Sequence, residues 1–388
     1  MSVTAAAGFR AGGVACGIKP DGALDLALVT TEGRAPAAAA GVFTTNRATA
    51  APVLVSRVHL SSTGGRAVAV VLNSGNANAA SGAQGRADAA RTCALVAAEL
   101  GCRPEEVLVC STGLIGIPLP MGPVASGVPT LTRSLRADGG PTAAEAIRTT
   151  DTVRKEVVVD TDAGFVVGGM AKGSAMLAPD MATMLAVLTT DAEATPQQLD
   201  DALRAAMPGS FHALSVDGCT STNDTVLLLA SGASGRSAPG PLAEAVAEAC
   251  ASLARQMAGD AEGATKVVEV RVEGAASDED AARAARAVAE SVLCKCSWYG
   301  CDPYWGRVVS ELGSSGAAFD PDAVAVAYGP VTVCRHGVAC PHDAGALATV
   351  MAAPHLSVNA DLGLGAGSAL VLTNDLTHAY VDENMGTS

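Results

Sequence analysis

GGMAKGSAMLAPDMATMLAVLTTDA, at residues 168–192, runs from a glycine pair through Lys172 to an apolar segment at residues 184–188 that predicts a buried strand. Ala182 and Thr183 stand directly before this segment. Cleavage of the bond between them would give Thr183 a free α-amine beside its own hydroxyl, which places a base and a nucleophile in one residue. An α-amine titrates near about 7.7–8.0, so it can act as a base without a large pKa shift. The stretch therefore suggests a self-cleaving chain, although Ala-Thr alone would favour an ordinary strand threonine.

The composition indicates a globular protein that does not bind nucleic acid. The 388 residues are enough for two domains or one large domain. Hydrophobic residues make up 49% of the chain and charged residues 16%, which is sufficient for a large core. The net charge of −14 argues against the basic surface that nucleic acids require. The same charge would tolerate or attract a small cationic substrate.

The N-terminal sequence and the hydropathy pattern predict neither export nor membrane insertion. No run of about 18 apolar residues is present. The first residues lack the charged segment and the long apolar segment of a signal peptide. We therefore expect a cytoplasmic protein with no membrane partner, in which the eleven cysteines are free thiols.

Several cysteines and histidines near the C-terminal end suggest a metal site as one alternative. They are Cys294, Cys296, Cys301, Cys334, His336, Cys340 and His342. Their spacing differs from the C-x₂₋₄-C and H-x₃₋₅-H patterns of zinc sites. We therefore expect buried or unreactive thiols and no metal.

Two expected strands lead into polar turns that contain glycine. The apolar residues 67–72 precede NSGNAN at residues 73–78, whose asparagines either satisfy the turn backbone or act in a site. The second strand, residues 107–110, leads into STG, where Thr112 and Gly113 offer a hydroxyl and an accessible backbone N–H. A hydroxyl and an N–H together are the parts of an oxyanion hole, which donates hydrogen bonds to charge that develops in the transition state.

These motifs resemble those of the ornithine acetyltransferase (glutamate N-acetyltransferase) family, whose members cleave themselves to expose an N-terminal threonine. The resemblance covers essentially the whole chain. It is carried by KG, MATML and TTD within residues 168–192 and by ordered segments elsewhere, namely AGVFTTN (40–46), AAPV (50–53), NSGNANA (73–79), STGLIGIPLP (111–120), TTDTVRK (149–155), STND (221–224), EGATK (262–266), GCDPYWGR (300–307) and TNDLTHAYVDEN (373–384). For STND a structural role dominates, and no catalyst is assigned there.

The resemblance implies roles for particular residues. Thr183 is the implied nucleophile, and Thr112 and Gly113 are the implied oxyanion-hole donors. The implied substrate-binding residues are Thr149, Lys172, Thr183, Glu262, Asn384 and Ser388. The tail before Ser388 diverges from the family pattern, so a frayed terminus is the alternative at that position.

The resemblance also implies a fold and a reaction. The implied fold is α/β, with two domains of layered sheets and helices (αββα-like) rather than a Rossmann sheet. Self-cleavage would give an N-terminal chain, 1–182, and a C-terminal chain, 183–388, which stay associated as an α₂β₂ heterotetramer. The implied reaction is ping-pong transfer of an acetyl group from N²-acetylornithine to glutamate in arginine biosynthesis, through acetyl-Thr183. No metal or organic cofactor is implied, and acetyl-CoA stays open as an alternative acetyl donor.

Two other functions stay open from the sequence. One is the same fold acting as an acyltransferase or amidohydrolase on another N-acyl amino acid, because Tyr304 replaces the usual asparagine of the family and the pair Trp298-Tyr299 is unusual. These changes suggest an altered pocket wall or subunit contact. The other is an uncleaved, inactive homologue that serves as a binding partner, against which the intact Thr112 and Lys172 argue.

Overall fold

The computed structural model describes residues 2–177 and 184–386, which form two compact units. The first unit contains the described residues up to His212 together with Cys219–Met257. The second unit contains Ala213–Gly218 and the described residues from Ala258 onward. The chains 1–182 and 183–388 expected from the sequence are cleavage products, not compact units, and they stay a prediction.

The first unit is built on two sheets. Its strands are β1 (Phe9–Val14), β2 (Leu26–Thr31), β3 (Ala37–Phe43), β4 (Arg66–Ala67), β5 (Ala69–Asn73), β6 (Val107–Ser111), β7 (Lys155–Asp160), β8 (Val166–Lys172), β9 (Leu185–Thr190) and β10 (Thr225–Ala230). One sheet has the order β1-β2-β5-β6, and the other has the order β4-β3-β10-β9-β8-β7. Strands β2, β5, β6, β9 and β10 are buried along their whole length, as expected for continuous apolar runs.

Helices flank these sheets. They are α1 (Ala51–Ser62), α2 (Gly82–Leu100), α3 (Met121–Arg133), α4 (Gly140–Ala146), α5 (Pro196–Ala206) and α6 (Pro239–Gly259). Thr195 caps the N-terminus of α5, because its side chain accepts a hydrogen bond from the Gln198 N–H and the Gln198 side chain reciprocates in a capping box.

Two of these helices form where the local sequence gives little sign of a helix. α1 follows three short strands. α3 lies in residues 121–140, which are rich in glycine, proline and serine. In α3 the side chains of Val124, Val128 and Leu131 are buried on one face. Their packing against the first sheet outweighs the low helix propensity of this segment.

The first unit has four layers, αββα. One core lies between α1–α3 and the first sheet and includes Leu28 and Val96. A second core lies between the two sheets and includes Leu72 and Val187. On the far face of the second sheet, α5 packs on β3 and β10, and a leucine of α6 lies beside β8.

The second unit is a third sheet covered by helices. Its strands are β11 (Val267–Ala275), β12 (Ala325–Tyr328), β13 (Val331–Arg335), β14 (Val338–Ala339), β15 (His355–Asp361) and β16 (Gly367–Asn374), and its helices are α7 (Asp278–Glu290), α8 (Val292–Tyr299), α9 (Trp305–Ser314), α10 (Ala344–Ala352) and α11 (His378–Asn384). The sheet order is β14-β13-β12-β15-β11-β16. Its core includes Val270, Trp298 and Val358. α7 ends at Glu290, and the Ser291 side chain caps α8 by accepting a hydrogen bond from the Cys294 N–H.

The predicted fold class is confirmed. All three sheets contain antiparallel neighbours, such as β1–β2, β7–β8 and β12–β15, so they differ from the parallel sheet of a Rossmann fold. Among the described residues, no helix combines the length and the apolar character needed to span a bilayer.

Candidate active site

Thr112 directly follows β6 and presents a buried hydroxyl. Its backbone N–H donates to the Asn73 carbonyl at 3.0 Å, which holds the residue at the end of the sheet. Its hydroxyl oxygen, Oγ1, is buried but makes no hydrogen bond within residues 2–177 and 184–386. A buried hydroxyl without a partner costs about 1–3 kcal/mol, so such groups are uncommon unless they serve chemistry. This hydroxyl is available as a donor.

Gly113 is required by a close approach of two chain segments. Its φ is +126°, a conformation that side chains disfavour. A Cβ at this position would stand 2.4 Å from the carbonyl carbon of Gly75. The absence of a side chain at Gly113 is therefore what lets the turn at residues 73–78 pack against the loop that follows β6.

The turn at residues 73–78 holds this loop in place. The Asn73 side chain donates to the Asn76 carbonyl at 2.8 Å and accepts from the Ser111 hydroxyl at 2.6 Å. The Asn76 side chain donates to the carbonyls of Ile117 and Pro118 at 3.1 and 3.2 Å. Of the two alternatives for these asparagines, the structure therefore shows the one in which they satisfy backbone groups.

Lys172 and Thr149, both predicted to bind substrate, are in contact. Lys172 is the last residue of β8 and is 2% exposed. Its ammonium nitrogen, Nζ, donates to the Thr149 hydroxyl at 2.7 Å and lies 3.7 Å from a carboxylate oxygen of Asp151. This lysine is therefore a buried cation and not the solvated surface group that a loop lysine usually is.

Asp151 organises this cluster, and the sequence analysis missed it. Its carboxylate accepts from the Lys155 ammonium and from the Gly173 N–H, each at 2.7 Å, and from the Thr149 N–H at 3.1 Å. Burial by itself would raise the pKa of Asp151, but the charges of Lys172 and Lys155 outweigh burial and hold this pKa well below its usual range. An aspartate four residues before a lysine in TTDTVRK was the available signal.

Two further residues that were not assigned to the site, Asn223 and Asp224, lie in the STND motif. The Asn223 side chain donates to the carbonyls of Ala77 and Ser111 at 2.6 and 2.8 Å, which ties it to the loop before Thr112. The Asp224 carboxylate accepts from the Met184 N–H at 2.8 Å. This motif therefore reaches both the end of β6 and the start of β9.

The Asp224 side chain is fully buried in an environment that disfavours its charge. Burial raises the pKa of this carboxyl well above its usual range, and the opposing effects of the Met184 N–H, the Ser221 side chain and the Lys172 charge are smaller. A carboxyl group directly before a continuous apolar strand was the sequence signal for this environment.

In the second unit, Glu262 and Asn384 are joined. The Asn384 side chain donates to a Glu262 carboxylate oxygen at 2.9 Å. Glu262 is 7% exposed. The segments that carry them are fastened together, because the Asp375 carboxylate accepts from the Thr265 and Lys266 N–H groups, each at 2.9 Å.

The predicted site residues are thus found in three places. Thr112 and Gly113 follow β6 in one sheet of the first unit, and Thr149 and Lys172 lie beside β8 in the other. Glu262 and Asn384 are in the second unit. The remaining predicted residues, Ala182, Thr183 and Ser388, lie outside the described residues.

The unusual aromatic residues of the second unit differ in exposure. Tyr304 is 57% exposed, and the Arg307 guanidinium lies 5.9 Å from its ring centre. Trp298 is fully buried, whereas Tyr299 is partly exposed. The Tyr299 ring packs edge-on against the His378 ring, with 6.1 Å between the ring centres. The expected influence of these residues on a pocket wall or a subunit contact stays a prediction.

The cysteines considered as metal ligands differ in their burial. Cys294 and Cys334 are buried, whereas Cys296 and Cys301 are exposed. Over residues 2–177 and 184–386, no group of three or more His, Cys, Asp or Glu side chains is arranged to hold a metal ion.

Two stacked mixed sheets between helices, with a buried hydroxyl at a strand end that has no hydrogen-bond partner among the described residues, form a framework suited to acyl transfer. The chain belongs to the ArgJ family, whose model matches residues 10–386. The resemblance seen in the sequence is thereby confirmed.

Two relatives agree with this membership. The arginine biosynthesis bifunctional protein ArgJ of Thermobifida fusca is 49% identical over 390 residues, covering 100% of both chains. The protein of the same name from Mycobacterium tuberculosis is 50% identical over 396 residues, covering 100% of this chain and 96% of the relative. A solved ornithine acetyltransferase from M. tuberculosis, complexed with ornithine, is 51% identical, with a TM-score of 0.44, and covers 46% of this chain and 94% of its own.

The charge cluster around Asp151 leads to a stability prediction. Asp151→Asn leaves the buried ammonium groups of Lys155 and Lys172 without their carboxylate, so the free energy of unfolding should fall by on the order of 3 kcal/mol at pH 7. Urea unfolding followed by circular dichroism measures this loss. Asp160→Asn, at an exposed position at the end of β7, is the matched control and should have little effect.

The pH dependence of this loss follows from the direction of the pKa shift. Because the pKa of Asp151 is lower in the folded state, its stabilisation is fully present above the unfolded pKa of about 3.9 and is lost as the pH falls through the folded value. The difference between wild type and Asp151→Asn should therefore shrink as the pH is lowered below about 4. A constant difference from pH 7 to pH 3 would contradict this assignment.

Proposed function

We propose that this protein transfers an acetyl group from N²-acetylornithine to glutamate as a step of arginine biosynthesis. The observation that carries the proposal is the ArgJ family match over residues 10–386. The predicted activity class, an acyltransferase of arginine biosynthesis, is confirmed by this membership and by relatives about half identical over the whole chain.

We propose further that the chain cleaves itself between Ala182 and Thr183. The strand arrangement supports two products that stay together. β9 and β10, which would belong to the product 183–388, lie side by side between β3 and β8 of the product 1–182. Backbone hydrogen bonds on both edges of this pair would hold the products together after the cut. We infer an α₂β₂ assembly in the cytoplasm.

In the proposed mechanism, the Thr183 α-amine takes the proton of its own hydroxyl. The hydroxyl oxygen attacks the acetyl carbonyl carbon, and the Thr112 hydroxyl and the Gly113 N–H donate to the oxyanion. The intermediate collapses to acetyl-Thr183 and ornithine, whose α-amine leaves with a proton. Glutamate then attacks the ester through its α-amine and leaves as N-acetylglutamate, which restores the Thr183 hydroxyl.

The polar clusters supply charges that suit amino-acid substrates. Lys172, with Thr149 beside it, would hold a substrate carboxylate or lower the pKa of the Thr183 amine. Glu262, with Asn384 beside it, would bind a substrate ammonium group. Ser388 is the remaining residue proposed to contact substrate.

A second donor is a further candidate. The relatives are named bifunctional proteins, which supports a test of acetyl-CoA as an acetyl donor to glutamate. The other alternative is a different N-acyl amino acid substrate. It is suggested by the exposed Tyr304, which replaces the usual asparagine. Profiling the purified protein with N²-acetylornithine, acetyl-CoA and other N-acetylamino acids as donors separates these candidates. We expect the fastest transfer to glutamate from N²-acetylornithine.

Thr183→Ala should abolish both cleavage and transfer, because it removes the hydroxyl that both reactions need. A denaturing gel should show one full-length band for this variant and two bands of about half that size for the wild type, a spacing set by the position of the bond in the 388-residue chain. Thr183→Ser, which keeps a hydroxyl, is the control and should retain part of both activities. Full transfer activity in the uncut Thr183→Ala protein would rule out this mechanism.

Thr112→Val should lower the turnover number by about 10²–10³-fold, because it removes one oxyanion-hole donor and keeps the side-chain shape. The KM for N²-acetylornithine should change much less, because the lost interaction forms in the transition state. Initial rates on cleaved material test this, with Thr112→Ser as the variant that keeps the hydroxyl. Equal turnover for the valine variant and the wild type would remove Thr112 from the mechanism.

A further inference from the structure

The Lys19 side chain reaches the backbone beside one of the proposed substrate-binding residues. Its ammonium nitrogen, Nζ, donates to the Arg148 carbonyl at 2.7 Å and to the Leu24 carbonyl at 2.9 Å. Arg148 directly precedes Thr149 in the chain. The ammonium group of Lys19 therefore restrains the backbone at the point where it enters Thr149.

The carbon stem of Lys19 lies against the turn at residues 73–78. A Cβ on Gly75 would stand 3.0 Å from the Lys19 Cγ, and the φ of Gly75 is +94°, so a side chain is disfavoured there on both counts. Gly75 is also the residue that Gly113 approaches closely. Lys19 therefore packs on the turn that supports the loop after β6.

Lys19 is itself held in place by a buried carboxylate. Asp25 is fully buried, and its carboxylate accepts hydrogen bonds from four consecutive backbone N–H groups, those of residues 16–19, at 2.6–3.0 Å. The Asp25 carbonyl accepts from the Ser74 N–H at 2.9 Å, which ties this anchor to the same turn. Charge-assisted bonds of this kind are strong, so the position from which the lysine stem starts is fixed.

A path of polar contacts continues through the peptide group that joins Arg148 to Thr149. Its carbonyl accepts from Lys19, and its N–H donates to the Asp151 carboxylate at 3.1 Å. The Asp151 carboxylate in turn lies 3.7 Å from the Lys172 ammonium group. Hydrogen bonds in such a series polarise and strengthen one another. Lys19 therefore supports the contacts that hold Thr149 and Lys172 together.

Satisfying two backbone carbonyls does not by itself require a lysine. Water can satisfy carbonyl groups at a turn, and ordering a lysine side chain costs more rotamer entropy than ordering most others. What Lys19 adds is a link between segments 129 positions apart in the chain. One segment supports the loop after β6 in the first sheet, and the other carries Thr149 beside the second sheet.

We propose that Lys19 is a positioning residue that fixes Thr149 relative to the loop after β6. The proposal rests on the proposed acetyl transfer, in which Thr149 holds substrate and Thr112 and Gly113 bind the oxyanion. The separation of these two places decides whether a substrate held at one of them presents its acetyl carbonyl to the other. A misplacement of about 1 Å can cost up to about 10²-fold in rate.

Lys19→Met removes the ammonium group and keeps an unbranched stem beside Gly75. It releases the backbone at Thr149 while the turn stays supported, so the loss falls on substrate binding. We expect the KM for N²-acetylornithine to rise about tenfold and the turnover number to change by less than about threefold. Initial rates at saturating glutamate, expressed per cleaved chain counted on a denaturing gel, give both quantities.

Lys19→Ala removes the stem as well. We expect the same rise in KM and, in addition, a fall of about tenfold in the turnover number, because the turn behind Gly113 loses a support. A general loss of stability would reduce the amount of folded protein and leave the KM unchanged. The difference between the methionine and alanine variants therefore reports on positioning.

Combining Lys19→Met with Thr149→Val tests the path between these residues. If Lys19 acts through Thr149, the double variant should raise the KM by much less than the product of the two single effects. A rise equal to that product would show that Lys19 acts by another route, and the proposal would be overturned.

Arg34→Met is the matched control. Arg34 is also a cationic residue of the first unit, and its side chain donates to a backbone carbonyl, that of Leu100, at 3.4 Å. The segments that it joins carry no proposed site residue. Its KM and turnover number should stay within about twofold of the wild-type values.

The outcomes separate this proposal from the proposed function. A wild-type protein that transfers no acetyl group from N²-acetylornithine to glutamate refutes the proposed function. An active wild type together with a folded Lys19→Met variant of unchanged KM refutes the positioning role alone. If Lys19→Met does not fold, Lys19→Gln takes its place, because its polar amide tolerates water but is one bond too short to replace the ammonium group. A folded glutamine variant with the wild-type KM overturns the proposal.

Discussion

The pairing of β9 with β8 on one side and with β10 on the other is the constraint on which the candidate site depends. In this register Leu185 stands opposite both Lys172 and Thr225. The chain segments that carry Lys172, Met184 and Asp224 therefore meet at one end of one sheet. A slip of one residue would turn every side chain of β9 to the opposite face, and both faces of this strand are buried. Packing against the other layers thus fixes the relative positions of the polar groups.

Two polar groups at these strand ends are buried in a way that favours chemistry over folding stability. The Thr112 hydroxyl and the Asp224 carboxyl each leave a buried oxygen without a partner among the described residues. Their neighbours are, by contrast, tightly engaged, and Asn223 alone donates to two carbonyl groups. Fixed surroundings around free donors and acceptors are the arrangement that electrostatic catalysis requires, because nothing has to reorganise when charge develops.

Much of this organisation could be read from the sequence, and the exceptions have physical causes. Continuous apolar runs predict buried strands such as β5, β6 and β10. The N-terminal cap of α5 is likewise predictable, because its hydrogen bonds form between residues three positions apart in the sequence. α3 could not be read from the sequence, because its glycines and prolines oppose a helix locally and burial of one face against a sheet stabilises it.

The motifs of the candidate site could be found in the sequence, but the contacts between their side chains could not. Thr149 and Lys172 are 23 positions apart in sequence, and their contact depends on tertiary structure. Asp151 and Asp224 were overlooked because an aspartate in a polar motif usually faces solvent, whereas here each is enclosed. Whether a buried carboxyl group is paired with lysines, as Asp151 is, or accepts a backbone N–H, as Asp224 does, depends on neighbours distant in the chain.

The interleaved sheet also restricts how the protein is made. Synthesised as a separate polypeptide, a segment beginning at β9 would expose two unpaired edges of a strand pair that is buried along its whole length in the intact protein, and its counterpart would lack the centre of its sheet. Such edges recruit other chains and promote aggregation. A continuous precursor brings β3, β8, β9 and β10 together in one folding event, so assembly has to precede any cut. Two independently expressed fragments are for this reason a poor substitute for the intact gene product.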